Sequence, residues 1–210
     1  MAIEIQGKVG PQFLADGTIA DPRLGKSGET ITQDAHGRYF EMGYRNKSFL
    51  ASTAVGGVAP GTALSTTPPF ALWNPPNSGV IASINKAQFG YVSGTLGGGS
   101  IVWAQYTAQV SAPTTGTVLT PVSAMTGSNT SGSIKAYQGS TVAGTPTIVR
   151  PSIIIGAFLA TTATISPPIF DEVAGELLIA PGSLLCLHGV AAAGTSPLIL
   201  FSVYWEEVPV

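Results

Sequence analysis

The sequence predicts an all-β protein, a β-sandwich with an extended N-terminal arm, and three observations carry that prediction. Apolar residues alternate with period two over short runs. Turn-forming residues punctuate those runs, with 26 Gly and 16 Pro in 210 residues. Only 10% of residues are charged, which leaves little material for solvated amphipathic helices and matches many short strands joined by tight turns.

The arm is residues 1–46 and the body residues 47–210. More than half of the chain's Asp, Glu, Lys and Arg lie in the arm. Asp16-Gly17, Asp21-Pro22 and Lys26-Ser27-Gly28 break it before any long element can form. Its apolar residues, among them Ile3, Ile5 and Phe13, are too scattered to pack alone. They are expected to fill pockets on a neighbouring subunit; the alternative is a frayed terminus.

His36–Tyr44 and Lys47–Val55 begin the folded body, and residues 56–69 form a Gly/Pro/Thr loop. Phe70–Trp73 is a strand stopped by Asn74-Pro75-Pro76. Val80–Asn85, Ala87–Ser93 and Ile101–Val110 follow as three strands. Gly97-Gly98-Gly99 is expected to supply positive φ for a hairpin between the last two. Residues 111–133 form a long surface excursion. Ile134–Gln138, Thr147–Arg150 and Ser152–Thr161 resume the strand pattern, and a C-terminal meander runs through Ile169–Ile179, Ser183–Val190 and Leu198–Val208. In the closing strand Leu198, Leu200 and Tyr204 fall on one face, and Ile199, Phe201, Val203 and Trp205 on the other. With both faces apolar, the strand is expected inside a sandwich or against a neighbouring subunit, which makes Phe201 and Trp205 candidate contacts. Glu206 and Glu207 are expected to mark the return to water.

Composition argues against several functions. A net charge of −2 gives no general attraction to nucleic acid or to an anionic membrane. The apolar runs are too short to span a bilayer, and Met1–Lys8 lacks the pattern of a secretory signal. Residues 42–170 contain no Asp or Glu, so paired-carboxylate hydrolysis, two-metal chemistry and calcium loops cannot be supplied from the middle of the body. Asp171, Glu172 and Glu176 read as a solvated strand edge. Two histidines, His36 and His188, cannot make a three-histidine zinc site in one chain. Cys186 and His188 share a strand face but sit among leucines with no orienting third group, so Cys186 reads as a small buried hydrophobe and His188 as a hydrogen-bonded core or interface histidine. Gly25-Lys26-Ser27 lacks the remaining glycine and the helix of a phosphate loop. No catalytic, cofactor-binding or metal-binding residue is expected, and no cofactor. Arg38, Arg45 and Lys47 form the one basic cluster, which could pair with acids of a neighbouring protein.

Leu72-Trp73-Asn74-Pro75 with Ser78-Gly79, the run Gly90-Tyr91-Val92-Ser93-Gly94-Thr95-Leu96-Gly97, and Pro181-Gly182-Ser183 with Trp205-Glu206-Glu207 resemble virion structural proteins of tailed bacteriophages, over roughly residues 40–210. The resemblance implies a particle component, among which small jelly-roll proteins act as capsid decoration or cement. The first expectation for such a component is a jelly-roll-like sandwich that binds the major capsid protein on the capsid exterior and is made in the host bacterial cytoplasm. Alternative placements are a tail, collar or baseplate subunit, or a receptor-binding module; a surface-polysaccharide hydrolase is a third class. Self-assembly is expected as a homotrimer, or else a dimer.

Overall fold

The computed structural model describes residues 37–156 and 169–210, and the chain divides into two compact units, residues 1–40 and 41–210. Ile3, Ile5 and Phe13 lie outside the described residues. Strand accounts for 49% of the structure and helix for 3%, which bears out the all-β expectation. The helix is a single turn, α1 (Phe40–Tyr44). It ends where Asn46 turns left-handed at φ 54° and the N–H groups of Asn46 and Lys47 return to the carbonyls of Gly43 and Met42. Asn is one of the few residues that reach this conformation at low cost.

The strands are β1 (Ser48–Ser52), β2 (Phe70–Asn74), β3 (Val80–Ser93), β4 (Gly99–Tyr106), β5 (Thr117–Leu119), β6 (Val122–Ser123), β7 (Lys135–Gln138), β8 (Thr147–Ile155), β9 (Ile169–Glu172), β10 (Leu178–Ile179), β11 (Ser183–Val190) and β12 (Leu198–Pro209). They make two antiparallel sheets. The first runs β10-β3-β12-β1-β6, with β9 also on β3, and the second runs β5-β7-β2-β11-β4-β8. One apolar cluster draws on both, with Phe49, Ile84, Phe201, Val203 and Trp205 from the first and Phe70, Leu72, Ile101, Trp103, Leu185 and Leu187 from the second. That shared core makes the two sheets a sandwich.

Alternation sets which face of each strand is inside. In β12, Ile199, Phe201, Val203 and Trp205 are buried, while Leu198, Leu200 and Tyr204 are half-buried. Phe201 and Trp205 are fully enclosed, Phe201 packing edge-on to Phe89 at 5.8 Å between ring centroids. This corrects their expected role: they are core residues of their own chain, and the second apolar face of the strand is the one carrying Leu198, Leu200 and Tyr204. Strands β2 and β11 are buried on both faces. Behind them lies a second cluster of Ala71, Trp73, Ala104, Tyr137, Val142, Leu184 and Cys186. The loop before β2 crosses this side, where Pro60 and Thr62 accept the N–H groups of Gly189 and Ala191.

Several expected boundaries move for identifiable reasons. Val80–Asn85 and Ala87–Ser93 are one strand: β12 pairs Tyr204 with Lys86 and Trp205 with Ile84, so Asn85 is the extra residue of a bulge. A bulge inverts the alternation and looks like a break in the sequence. Thr147–Arg150 and Ser152–Ile155 likewise join as β8, with register shifts against β4. Ile169–Ile179 does the reverse, splitting into β9 and β10 around a turn with Ala174 and Gly175 at positive φ. The run Gly97-Gly98-Gly99 does not turn a hairpin, because β3 and β4 belong to different sheets. Gly94 carries the positive φ, 84°. Gly97 serves close approach instead, since a Cβ there would lie 2.1 Å from the Ala193 carbonyl oxygen.

If Phe201 is core, Phe201→Ala should lower unfolding free energy by about 3–5 kcal/mol in urea titration. Unchanged stability would place Phe201 on a surface and overturn the assignment.

Candidate functional site

Each of the expected basic contacts has its own local surroundings. Arg38, in the first unit, lies over the Tyr39 ring at 5.3 Å from its centroid. Arg45 pairs with Glu41 across one exposed helical turn, an arrangement worth a few tenths of a kcal/mol. Lys47 is exposed at the start of β1, and its carbonyl accepts the Glu207 N–H.

The densest polar constellation is one the sequence assigned to a solvated edge. Asp171, on β9 of the first sheet, is buried. Trp103 Nε1, on β4 of the second sheet, donates to its Oδ2 at 2.7 Å, and Ser152 Oγ donates to the same oxygen at 2.8 Å. One terminal nitrogen of Arg150 lies 3.1 Å from both carboxylate oxygens. Arg150 Nε lies 3.3 Å from Glu176 Oε2, an ion pair without hydrogen-bond alignment, and Lys86 pairs with Glu172 at 3.1 Å. Burying a carboxylate requires a counter-charge and donors for its lone pairs, and β4 and β8 supply both. With its oxygens engaged by protein donors, Asp171 ties the sheets together.

Two further polar residues act across the sandwich. Asn74 ends β2 fully buried, its amide nitrogen donating at 2.8 Å to the carbonyls of both Val80 and Ile179. Glu207, expected in water, is buried. Its carboxylate accepts the N–H groups of Ser133 at 2.8 Å and Ile134 at 3.0 Å, fixing the chain that enters β7. A Cβ on Gly132 would lie 2.5 Å from Glu207 Oε1, so that glycine makes room for the carboxylate. The signal was present in the sequence: Glu207 continues the inward phase of Ile199, Phe201, Val203 and Trp205. Its neighbour Glu206 points outward, half-buried, and desolvation raises its carboxyl above the ordinary range.

Cys186 and His188 do share a face of β11, on the side away from the main core. The Cys186 thiol donates to the Ala104 carbonyl at 3.2 Å, and burial pushes its ionisation well up. His188 is 1% exposed with Nε2 lacking a partner, and desolvation lowers its pKa to about 4. The buried placement expected for His188 holds, whereas the hydrogen bond expected with it is missing at Nε2. No carboxylate can reach it from β4, β2 or the loop before β2, all of which lie within the acid-free residues 42–170. Both groups are therefore neutral near pH 7, which is the opposite of an activated thiolate and a poised base. Among the described residues no three His, Cys, Asp or Glu side chains cluster as metal ligands.

Asp171→Asn should cost about 3–5 kcal/mol, the range for breaking a buried ion pair by removing one partner, and Arg150→Met in the same chain should recover part of it. Urea titrations of the single and double variants check this; additive losses would show that the two groups do not interact. For His188, the unfolded side chain binds its proton near pH 6.5 and the folded one near pH 4. The unfolded state thus holds more protons between those values. Stability is complete above pH 6.5, falls as pH drops through the window, and levels below it, a loss of roughly 3 kcal/mol. The same titration of His188→Gln should lack that component.

No protein-family model, no curated protein and no solved structure matches this chain.

Proposed function

We propose that this chain is a structural component of a bacteriophage particle: a capsid decoration protein of jelly-roll type that bridges and stabilises major-capsid subunits from outside. The observation that carries the reading is the order in which the strands pair. Antiparallel pairs join β1 to β12, β2 to β11, β3 to β9 and β10, and β4 to β8. Laid flat, these would form one long ribbon closed between β4 and β8. The additional pairs β12 with β3 and β11 with β4 roll that ribbon on itself, an order of pairing that supports a double Greek key of jelly-roll type, an architecture of viral capsid and lectin domains. Strands β5, β6 and β7 are an insertion between β4 and β8.

The residues that carry the resemblance to virion proteins support the same reading through the fold. Leu72, Trp73 and Asn74 belong to β2, Gly94 and Gly97 shape the crossing between sheets, and Trp205 and Glu207 face inward from β12. These positions specify a sandwich. Contact with the capsid falls to the outer face of the first sheet, to exposed Lys47, and to the arm with Ile3, Ile5 and Phe13. Assembly as a homotrimer, with a dimer as the alternative, would use Leu198, Leu200 and Tyr204 in place of Phe201 and Trp205. The role is mechanical and needs neither catalysis nor a cofactor.

The test is to add the purified chain to particles that lack it. The expected outcome is binding to the capsid exterior, at a copy number matching the capsid lattice, with raised resistance of the particles to heat. Binding at the low rotational symmetry of a tail would transfer the chain to the tail or baseplate. Failure to bind any part of the particle would overturn the reading.

A further inference from the structure

The outer face of the first sheet carries a row of side chains that register alone brings together. Ser52 on β1 is opposite Ser202 on β12, Ser202 is opposite Gln88 on β3, and Gln88 is opposite Phe170 on β9. Opposed residues in an antiparallel sheet point to the same side, so the four stand in line at the ~4.8 Å spacing of paired strands. They border a shallow depression of about 310 Å³, floored by Leu200 and by Gly90, which contributes no side chain. Ser52, Ser202 and Gln88 make no side-chain hydrogen bond with any described residue. Phe170 at the end of the row is 52% exposed, and the Lys86 ammonium lies 5.1 Å from its ring centroid, held there by Glu172.

The lining selects a ligand class by exclusion. Among the described residues no Asp, Glu, Lys, Arg or His lines the depression, and Lys86 beside Phe170 is already paired with Glu172, so the lining offers little to neutralise a phosphate, a carboxylate or an ammonium group. Both β12 and β3 are paired along each side here, so an extended peptide cannot add a strand within the row between β1 and β9. What remains is a line of uncharged donors and acceptors, two hydroxyls and one amide, ending at an exposed ring. Hydroxyl-rich ligands match such donors and acceptors, and the C–H face of a sugar ring packs on an aromatic side chain while its hydroxyls stay hydrogen-bonded. We propose that this row binds a short stretch of uncharged glycan. The depression shares Leu200 and the outer face of the first sheet with the contacts proposed above, but its test reads glycan binding by the isolated chain through Ser52, Ser202, Gln88 and Phe170, and so succeeds or fails separately from the decoration role.

The test uses the full-length chain with trisaccharides of glucose, galactose, mannose and N-acetylglucosamine, and with sialylated and sulfated oligosaccharides as charged counterparts, read by saturation-transfer NMR and calorimetry. At least one neutral probe should bind, with affinity insensitive to salt. Gln88→Ala and Ser202→Ala should each weaken it several-fold, and together by about tenfold or more, the range expected for two lost hydrogen bonds. Gln88 is exposed, so its variant should keep the parent melting temperature and separates lost binding from lost folding. Absence of binding by every neutral probe overturns the proposal, as does binding that survives both substitutions. Preference for the charged probes with salt-dependent affinity overturns it in favour of an electrostatic site elsewhere.

Discussion

Burial of the Asp171 carboxylate between the two sheets is the interaction on which the body's alignment depends. A carboxylate taken out of water is tolerated only where donors and a cation are already in position. Arg150 is the last Lys or Arg in the sequence, and Asp171 is the first acid after Glu41. Those two residues meet, and Trp103 and Ser152 complete the set. Sliding β8 or β9 by one residue would turn one of the partners to the opposite face and strand the other charge. The pair therefore penalises wrong registers at the sandwich edge, where β8 is already irregular and apolar packing alone would discriminate weakly.

Asn74 and Glu207 apply the same logic elsewhere. Asn74 joins the end of β2 to β3 and β10, and Glu207 joins β12 to the segment entering β7. Each satisfies buried backbone groups that a purely apolar side chain would leave unpaired. Together with β2 and β11, buried on both faces, these ties give a stiff two-layer body whose few ionised interior groups are committed to protein partners. Recognition then falls to the surface. This is the physical sense in which the fold would suit the decoration role proposed above.

Much of the architecture was legible because alternation is a local property. The inward set Ile199, Phe201, Val203 and Trp205 could be read from β12 directly, and so could the apolar surroundings of Cys186 and His188. What failed were features that depend on a distant partner. Asp171 reads as a surface acid because its donors Trp103 and Arg150 are 68 and 21 residues away. The bulge at Asn85 reads as a strand end because only the register with β12 reveals one continuous strand. Gly97 reads as a flexible turn residue because the backbone of Ala193 that crowds it arrives from another loop. The row from Ser52 to Phe170 spans four strands and has no sequence signature. Glu207 is the exception: its inward phase is visible in the sequence, but its charge masks that position.

Asp171 is an interior tie between the sheets rather than an accessible acid, and hydrogen exchange of the Trp103 indole N–H reports on that burial. The chain has three tryptophans, so a Trp103→Phe variant identifies the resonance. A hydrogen bond to a buried carboxylate between the sheets predicts exchange as slow as that of the central β11 amides, proceeding only when the sandwich unfolds. Exchange of that proton well ahead of the β11 amides would show that solvent reaches Asp171 in the folded state, and would contradict the account.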